Sequence, residues 1–422
     1  MALTDRAARA ACGTAAAIAV VLGAPAAHAQ TIADRIHGAS GDVEVHFAAR
    51  PGVCGDGEGS MSFRSRHSAD DDGYWARCEP GPVRVRLTVA NGTVQAIHTL
   101  VGTRRRAIAG LTDLGAVGDR DAATYFLSIA RTAQAPVARE ALEPVALADS
   151  VTVAPDLLSL AGDRARPVEV RKNALFWAGQ VDESDVSKPV GRIAGDTSED
   201  RRMREQAVFV LSQLPDGAGV PPLVDIVKSS RDPWLAAKAT FWLGQIDDPR
   251  ASATLRELVT DPTVSADVKG QAVFVLGQHD VPDDQAFLRQ QFDALGTKTL
   301  QDKVLMGVAQ HGGPDARTWL MGIVTDSARP VEVRKQALFW AGQGDAVSTA
   351  DLAALYDHLH GDAMRRQVMF VLSQRDDSSA TDALMHIAST DPDHELRKQA
   401  MFWLGQKNDP RVAKFLAGIL EH

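Results

Sequence analysis

From residue 153 onward, apolar positions return with the 3.6-residue period of an amphipathic helix, interrupted by short polar joints. One ten-residue pattern recurs eight times. It reads RKNALFWAGQ at 171–180, REQAVFVLSQ at 204–213, AAKATFWLGQ at 236–245 and KGQAVFVLGQ at 269–278. It continues as QDKVLMGVAQ at 301–310, RKQALFWAGQ at 334–343, RRQVMFVLSQ at 365–374 and RKQAMFWLGQ at 397–406. We number its positions 0 to 9. An apolar residue precedes position 0 (Val170, Val268, Val333, Leu396), position 3 is usually Ala, position 6 is Trp or Val, and position 7 is Leu or Ala. At 100° per residue these four share one stripe, so each copy predicts a helix, here called B, with one buried face.

Between copies lie shorter helical stretches: PPLVDIVKSS, ATLRELVTD, RTWLMGIVTD, LAALYDHLH and TDALMHIAST. These predict a second helix, A, in each unit. Asp-Pro pairs at 232–233, 248–249, 261–262, 391–392 and 409–410 punctuate the joints, and such pairs suit an N-cap followed by the first helical turn. The closing glutamines, Gln180, Gln213, Gln245, Gln278, Gln310, Gln343, Gln374 and Gln406, are 31 to 33 residues apart. A period this regular predicts a solenoid, because no single unit can bury its apolar stripe without a stacked neighbour. PRVAKFLAGILEH at 410–422 reads as a last helix A capping the array.

Helix–turn–helix units of this length resemble HEAT repeats when they carry an apolar residue, Arg, two spacers and Ala, followed by an apolar stretch and Gly. VEVRKQALFWAGQGD at 331–345 and HELRKQAMFWLGQKNDP at 394–410 carry the likeness. The similarity is to the short bacterial kind named after phycobilisome lyase subunits, and to exported bacterial HEAT-repeat proteins. It implies an all-α, armadillo-type superhelix of HEAT-like hairpins over residues 153–422. It implies fold far more than activity.

Two aromatic residues side by side need separate explanations. Trp177, Trp242, Trp340 and Trp403 at position 6 lie on the buried stripe. Position 5 lies on the side of positions 1, 2 and 9, yet holds Phe176, Phe209, Phe241, Phe274, Phe339, Phe370 and Phe402, with Met306 in the fifth copy. These rings either wedge between adjacent B helices or line a groove, where they and the position-2 amides of Gln206, Gln271, Gln336, Gln367 and Gln399 would suit an extended peptide or amphipathic helix. Position 0 or 1 is usually Arg or Lys, which opposes the dipole at a helix N-terminus. The acids after each glutamine (Asp182, Asp216, Asp247, Asp280, Asp345, Asp376, Asp409) are the expected caps and ion-pair partners.

The first 152 residues follow other rules. Residues 1–29 read as a signal peptide: Arg6 and Arg9, the apolar run GTAAAIAVVLGA, then Ala27-His28-Ala29, so the mature chain is expected to start at Gln30 and to be exported, to periplasm or beyond. Residues 30–112 alternate polar and apolar in DVEVHFA, VRVRLTV and TVQAIHTLV, with Asn91-Gly92 as a hairpin turn. They predict a small β-rich domain. In an oxidising compartment Cys54 and Cys78 are expected to form its disulfide. Residues 113–152 resemble a worn helical repeat that caps the array.

The formal net charge of -9 argues against nucleic acid as partner, since such binding needs excess Lys and Arg. No stretch after the leader is long and apolar enough for membrane insertion. H-E-x-x-H, G-x-S-x-G, C-x-x-C and phosphate-loop motifs are absent. His358 and His360 project differently on a helix. His394-Glu395 is one His-Glu dyad where a HEAT-repeat di-iron hydroxylase needs several. The sequence thus predicts a non-enzymatic scaffold without cofactor or metal, binding a protein or peptide on the concave face. The competing readings are a lyase-like or metal-dependent enzyme, or its supporting subunit, and a structural spacer.

Overall fold

The computed structural model describes residues 31–59, 61–63, 78–104, 107–181, 186–343 and 347–420. The predicted leader lies outside them.

A four-stranded sheet with order β5-β4-β1-β6 builds the N-terminal part. Its strands are β1 (Gly41–Phe47), β4 (Val83–Ala90), β5 (Thr93–Val101) and β6 (Thr112–Ala116). β1 pairs antiparallel with β4 and parallel with β6, and β4 pairs antiparallel with β5. The β4–β5 turn has φ of 52° at Asn91 and 70° at Gly92, the double left-handed geometry that favours this dipeptide. β6 straddles residue 112, so the sheet extends into the segment read from sequence as wholly helical. A two-stranded excursion, β2 (Val53–Gly55) and β3 (Met61–Phe63), is tied down by the Cys54–Cys78 disulfide, with Cα atoms 5.2 Å apart. The short helix α1 (Ile32–His37) precedes the sheet and starts with a capping box between Thr31 and Asp34. Fully buried Glu44 pairs with Arg84 and Arg86, the Arg86 Nε donating at 2.9 Å. A carboxylate this deep is tolerated only with such partners.

Helices α2 (Asp119–Thr132), α3 (Ala135–Glu140) and α4 (Leu142–Leu147) cap the array. The Phe47 and Phe126 rings meet at 6.5 Å, and Arg50 donates to the carbonyls of Ala146 and Val151, so sheet and cap share one core.

Eight A/B pairs follow, in order α5 (Ala154–Gly162) and α6 (Val168–Gln180), α7 (Ser187–Gly195) and α8 (Arg201–Ser212), α9 (Val220–Ser229) and α10 (Pro233–Leu243), α11 (Pro249–Thr260) and α12 (Ala266–Gln278). Then come α13 (Pro282–Gln291) and α14 (Lys298–His311), α15 (Gly313–Thr325) and α16 (Val331–Gln343), α17 (Thr349–His358) and α18 (Asp362–Ser373), α19 (Ser378–Thr390) and α20 (His394–Gly405). A last A helix, α21 (Pro410–Leu420), closes the series. Each A helix packs on its own B, and each B on the next B. Neighbouring B helices are more closely associated than neighbouring A helices, which makes the B layer the inner one. The core is continuous from Ile32 to Val412, as nearest-neighbour stacking requires.

The caps follow the sequence with two exceptions. Asp232 and Asp248 accept from backbone N–H groups at the starts of α10 and α11, and Asp409 accepts from the Arg411 N–H. Asp261 and Asp391 instead follow α11 and α19, where each accepts an N–H two residues on and shapes the A-to-B turn. The acids expected to pair with the position-0 arginines also differ. Asp247, Asp280 and Asp376 are exposed, Asp216 sits in a turn at φ 54°, and Asp182 and Asp345 lie outside the described residues. The partners come from the joint before the next B helix. Arg171 donates from Nε to the Ala161 carbonyl (2.8 Å) and from Nη2 to Glu199 (2.5 Å). Arg204 repeats this on Ala194 (3.1 Å) and Asp232 (2.9 Å). One guanidinium therefore satisfies the C-terminal carbonyls of its own A helix and also clamps the next unit, offsetting its unfavourable place at a helix start.

Candidate functional site

The inner face is built by positions 1, 2, 5 and 9, because positions 3 and 7 are buried in all eight units and position 4 in seven. Each ring of the phenylalanine series has one side against a neighbour. Phe209 meets Trp242 of the next unit edge-on at 5.0 Å, and Phe370 meets Trp403 at 5.5 Å. Phe176, Phe241, Phe339 and Phe402 each lie edge-on, at 5.0–5.3 Å, to the Trp beside them in sequence. Phe176, Phe209, Phe241, Phe274, Phe339 and Phe370 are half-buried, and Phe402 is 58% exposed. Phe209, Phe339 and Phe370 thus each lie against a ring of an adjacent unit, while remaining part-exposed. The tryptophans are less uniform than expected. Trp177 is buried, at 8% exposed, whereas Trp242, Trp340 and Trp403 are half-buried.

Over the last three units the rings become contiguous. Trp340 touches Phe339, Phe339 stacks on Phe370 at 6.4 Å, Phe370 touches Trp403, and Trp403 touches Phe402. This strip runs across α16, α18 and α20 and ends in the most exposed ring of the series. Lys335, Arg366 and Lys398 flank it at position 1. Lys335 and Lys398 are held by Glu332 and Glu395 on their own helices.

The glutamines have a second role that the groove reading did not anticipate. Position 1 of one unit bonds position 2 of the next. Asp302 accepts from Gln336, and Arg366 donates to Gln399 Oε1. Lys238 Nζ pairs with Glu205 at 2.7 Å in the same relation. Gln336 and Gln399 thus join neighbouring helices, while Gln206, Gln271 and Gln367 sit half-buried at the equivalent places. Asp302 also accepts from Trp340 Nε1 at 2.5 Å, so the degenerate fifth copy supplies the acid that holds the start of the strip.

One charged cluster had no signal in the repeat grammar. His279 Nδ1 is 2.8 Å from Asp284 Oδ2, and its Nε2 is 2.8 Å from the Gly244 carbonyl. Both partners accept, so satisfying both needs the imidazolium. The hydrogen bond to Asp284 raises the His279 pKa above its ordinary value despite burial. Burial alone would raise the carboxyl of Asp284, but His279 and Arg256 together hold it below the usual range. A single His between two repeats is legible only once the fold places Gly244 beside it.

Among the described residues no three His, Cys, Asp or Glu side chains converge to hold a metal ion, and no helix is long and apolar enough to cross a membrane. His394 and Glu395 lie 3.5 Å apart, both exposed.

Residues 220–299 match the family model described as HEAT repeats. The helical pairs on either side of the matched residues repeat the same A-on-B arrangement. No curated protein sequence matches the chain significantly. Among solved structures, human deoxyhypusine hydroxylase in complex with glycerol aligns at 18% identity over 60% of this chain and 94% of its own, with a TM-score of 0.27. A chain from the complex of CpcE and CpcF of phycocyanin lyase, from Nostoc sp. PCC7120, aligns at 16% identity over 56% of this chain and 93% of its own, TM-score 0.29. A chain from a structure of the cadherin and beta-catenin interaction aligns at 11% identity over 67% of this chain and 68% of its own, TM-score 0.27. At these values the likenesses carry nothing about the chemistry of this chain.

Proposed function

We propose that this chain is an exported, non-catalytic scaffold that binds a protein or peptide along its inner helical layer. The contiguous aromatic strip from Trp340 to Phe402 carries the reading, since its half-exposed rings end at Phe402, 58% exposed. Solvent-facing aromatic surface flanked by polar groups is typical of contact sites rather than of a bare spacer. Export rests on the leader-like residues 1–29, and the Cys54–Cys78 bond agrees with an oxidising compartment.

The test combines Phe339→Ser, Phe370→Ser and Phe402→Ser, singly and together, with crosslinking capture from the cell envelope and thermal unfolding. Phe402→Ser is expected to abolish capture of a defined partner while leaving the midpoint nearly unchanged. Capture that survives all three changes would sink the proposal. N-terminal sequencing of the mature protein is expected to begin at Gln30, and a cytoplasmic product retaining residues 1–29 would overturn export.

A further inference from the structure

The B layer obeys a contact rule that leaves one of its faces without a partner helix. In the first, third, fourth and sixth units the glycine at position 8 faces a Val or Gly at position 6 of the next. A Cβ built on Gly179, Gly244 or Gly342 would lie 2.5, 1.7 or 2.0 Å from Cγ1 of Val210, Val275 or Val371. In the fifth unit position 6 is Gly307, and there the backbones of α12 and α14 approach so closely that a Cβ on Gly277 would lie 3.0 Å from the Gly307 Cα. The glycine at position 8 is thus a notch filled by the next helix. Position 5 and position 1 act in the same direction, Phe370 on Trp403 and Arg366 on Gln399.

α20 presents the donor half of all three contacts with no B helix against it among the described residues. A Cβ on Gly405 would meet nothing within 4 Å, Phe402 is 58% exposed, and Lys398 is exposed. Beside it, α21 carries an open apolar trough of about 610 Å³ lined by Pro410, Arg411, Lys414, Phe415, Gly418 and Ile419.

We propose that this end face docks an amphipathic helix of another polypeptide that imitates a B helix of the array. The rule defines its seam. It has a hydrogen-bond acceptor (Gln or Glu) facing Lys398, Ala or Val one residue later, and an aliphatic β-branched residue four positions after the acceptor, seated in the Gly405 notch. A second copy of this chain has no such helix free. Val210, Val275 and Val371 are each 1–2% exposed, already seated on the preceding unit, and the first B helix, α6, is covered by α3 and α4 and carries Trp177 instead of Val.

The test uses the full chain and a hydrocarbon-stapled peptide copied from residues 362–374, its helicity checked by circular dichroism because a free helix this short is marginal in water. Anisotropy titration is expected to give saturable binding that weakens at least tenfold with Gly405→Leu, which fills the notch. It is expected to weaken similarly when the peptide carries Val371→Asp. Because nothing opposes a side chain at Gly405, the melting temperature of Gly405→Leu is expected to be unchanged. Absence of saturable binding, or binding indifferent to Gly405→Leu, would overturn the proposal. Sedimentation equilibrium supplies the other arm: a dimer of the full chain that Gly405→Leu dissolves would assign the face to a second copy instead.

Discussion

At the residue scale, the charged side chains in this array act as joints rather than as surface decoration. Arg171 and Glu199 are each at most 7% exposed, so their pairing is not the weakly contributing surface kind. Removing one partner of such a pair typically costs about 3–5 kcal/mol, because the other is left buried and charged. His279 differs because its charge is conditional. Its folded pKa is raised, so it contributes stability that is fully present below its unfolded value, about 6.5, and lost as pH rises through the folded value. Asp284 is lowered and runs the other way: its contribution is present above about 3.9 and lost as pH falls through its folded value. The pair therefore stabilises the third-to-fourth joint best between those limits. Urea unfolding of His279→Asn beside the parent is expected to show a gap that is widest near pH 6 and narrows toward pH 9. A gap that is constant with pH would mean a neutral histidine.

At the scale of elements, the alternation of Trp-Gly copies with Val-Ser or Val-Gly copies is a packing code. The larger position-6 side chain swings toward a neighbouring Phe, and the smaller one enters a glycine notch. Gly244 has φ -75° and ψ -6°, a conformation open to any residue, so its glycine is there for space. Gly244→Ala is expected to destabilise by about 1–3 kcal/mol, the usual cost of overpacking. In a Val275→Ala background the same change is expected to become neutral or stabilising by about 0.5 kcal/mol, since Ala restricts the unfolded chain. A double-mutant cycle in chemical denaturation measures this coupling, and simple additivity would refute the code. Much of this was legible in the sequence. The 3.6-residue period and the fixed spacing of the glutamines mark all eight B helices, and the apolar stretches between copies mark five of their A partners and the terminal helix. The Asn91-Gly92 turn marks the β4–β5 hairpin. What could not be read were contacts whose two halves lie 28–35 residues apart: Arg171 with Glu199, Asp302 with Gln336, and His279 with Gly244. Periodicity assigns a face to each side chain but does not name the residue opposite. For the same reason periodicity does not tell that Phe209 and Phe370 lie against a Trp of the next unit.

At the scale of the whole molecule, each unit touches only its neighbours, so a local injury should stay local. The N-terminal sheet is joined to the cap through Arg50 and the Phe47–Phe126 contact, and the cap to the array through α3 and α4 on α6. The Cys54–Cys78 bond spans a sequence separation of 24, for which the chain-entropy model gives roughly 3–3.5 kcal/mol of stabilisation. A Cys54→Ser, Cys78→Ser chain is therefore expected to lose amide-exchange protection by about that amount in β2, β4 and β5. Loss should fade through α2 to α6, and protection should be unchanged from α15 onward, where the aromatic strip and the open end face lie. If that locality holds, partner capture through Phe402 is also expected to survive loss of the disulfide. Loss of protection spread evenly to α20 would instead mean that the 422-residue chain unfolds as one cooperative block, and the nearest-neighbour account of its stability would fail.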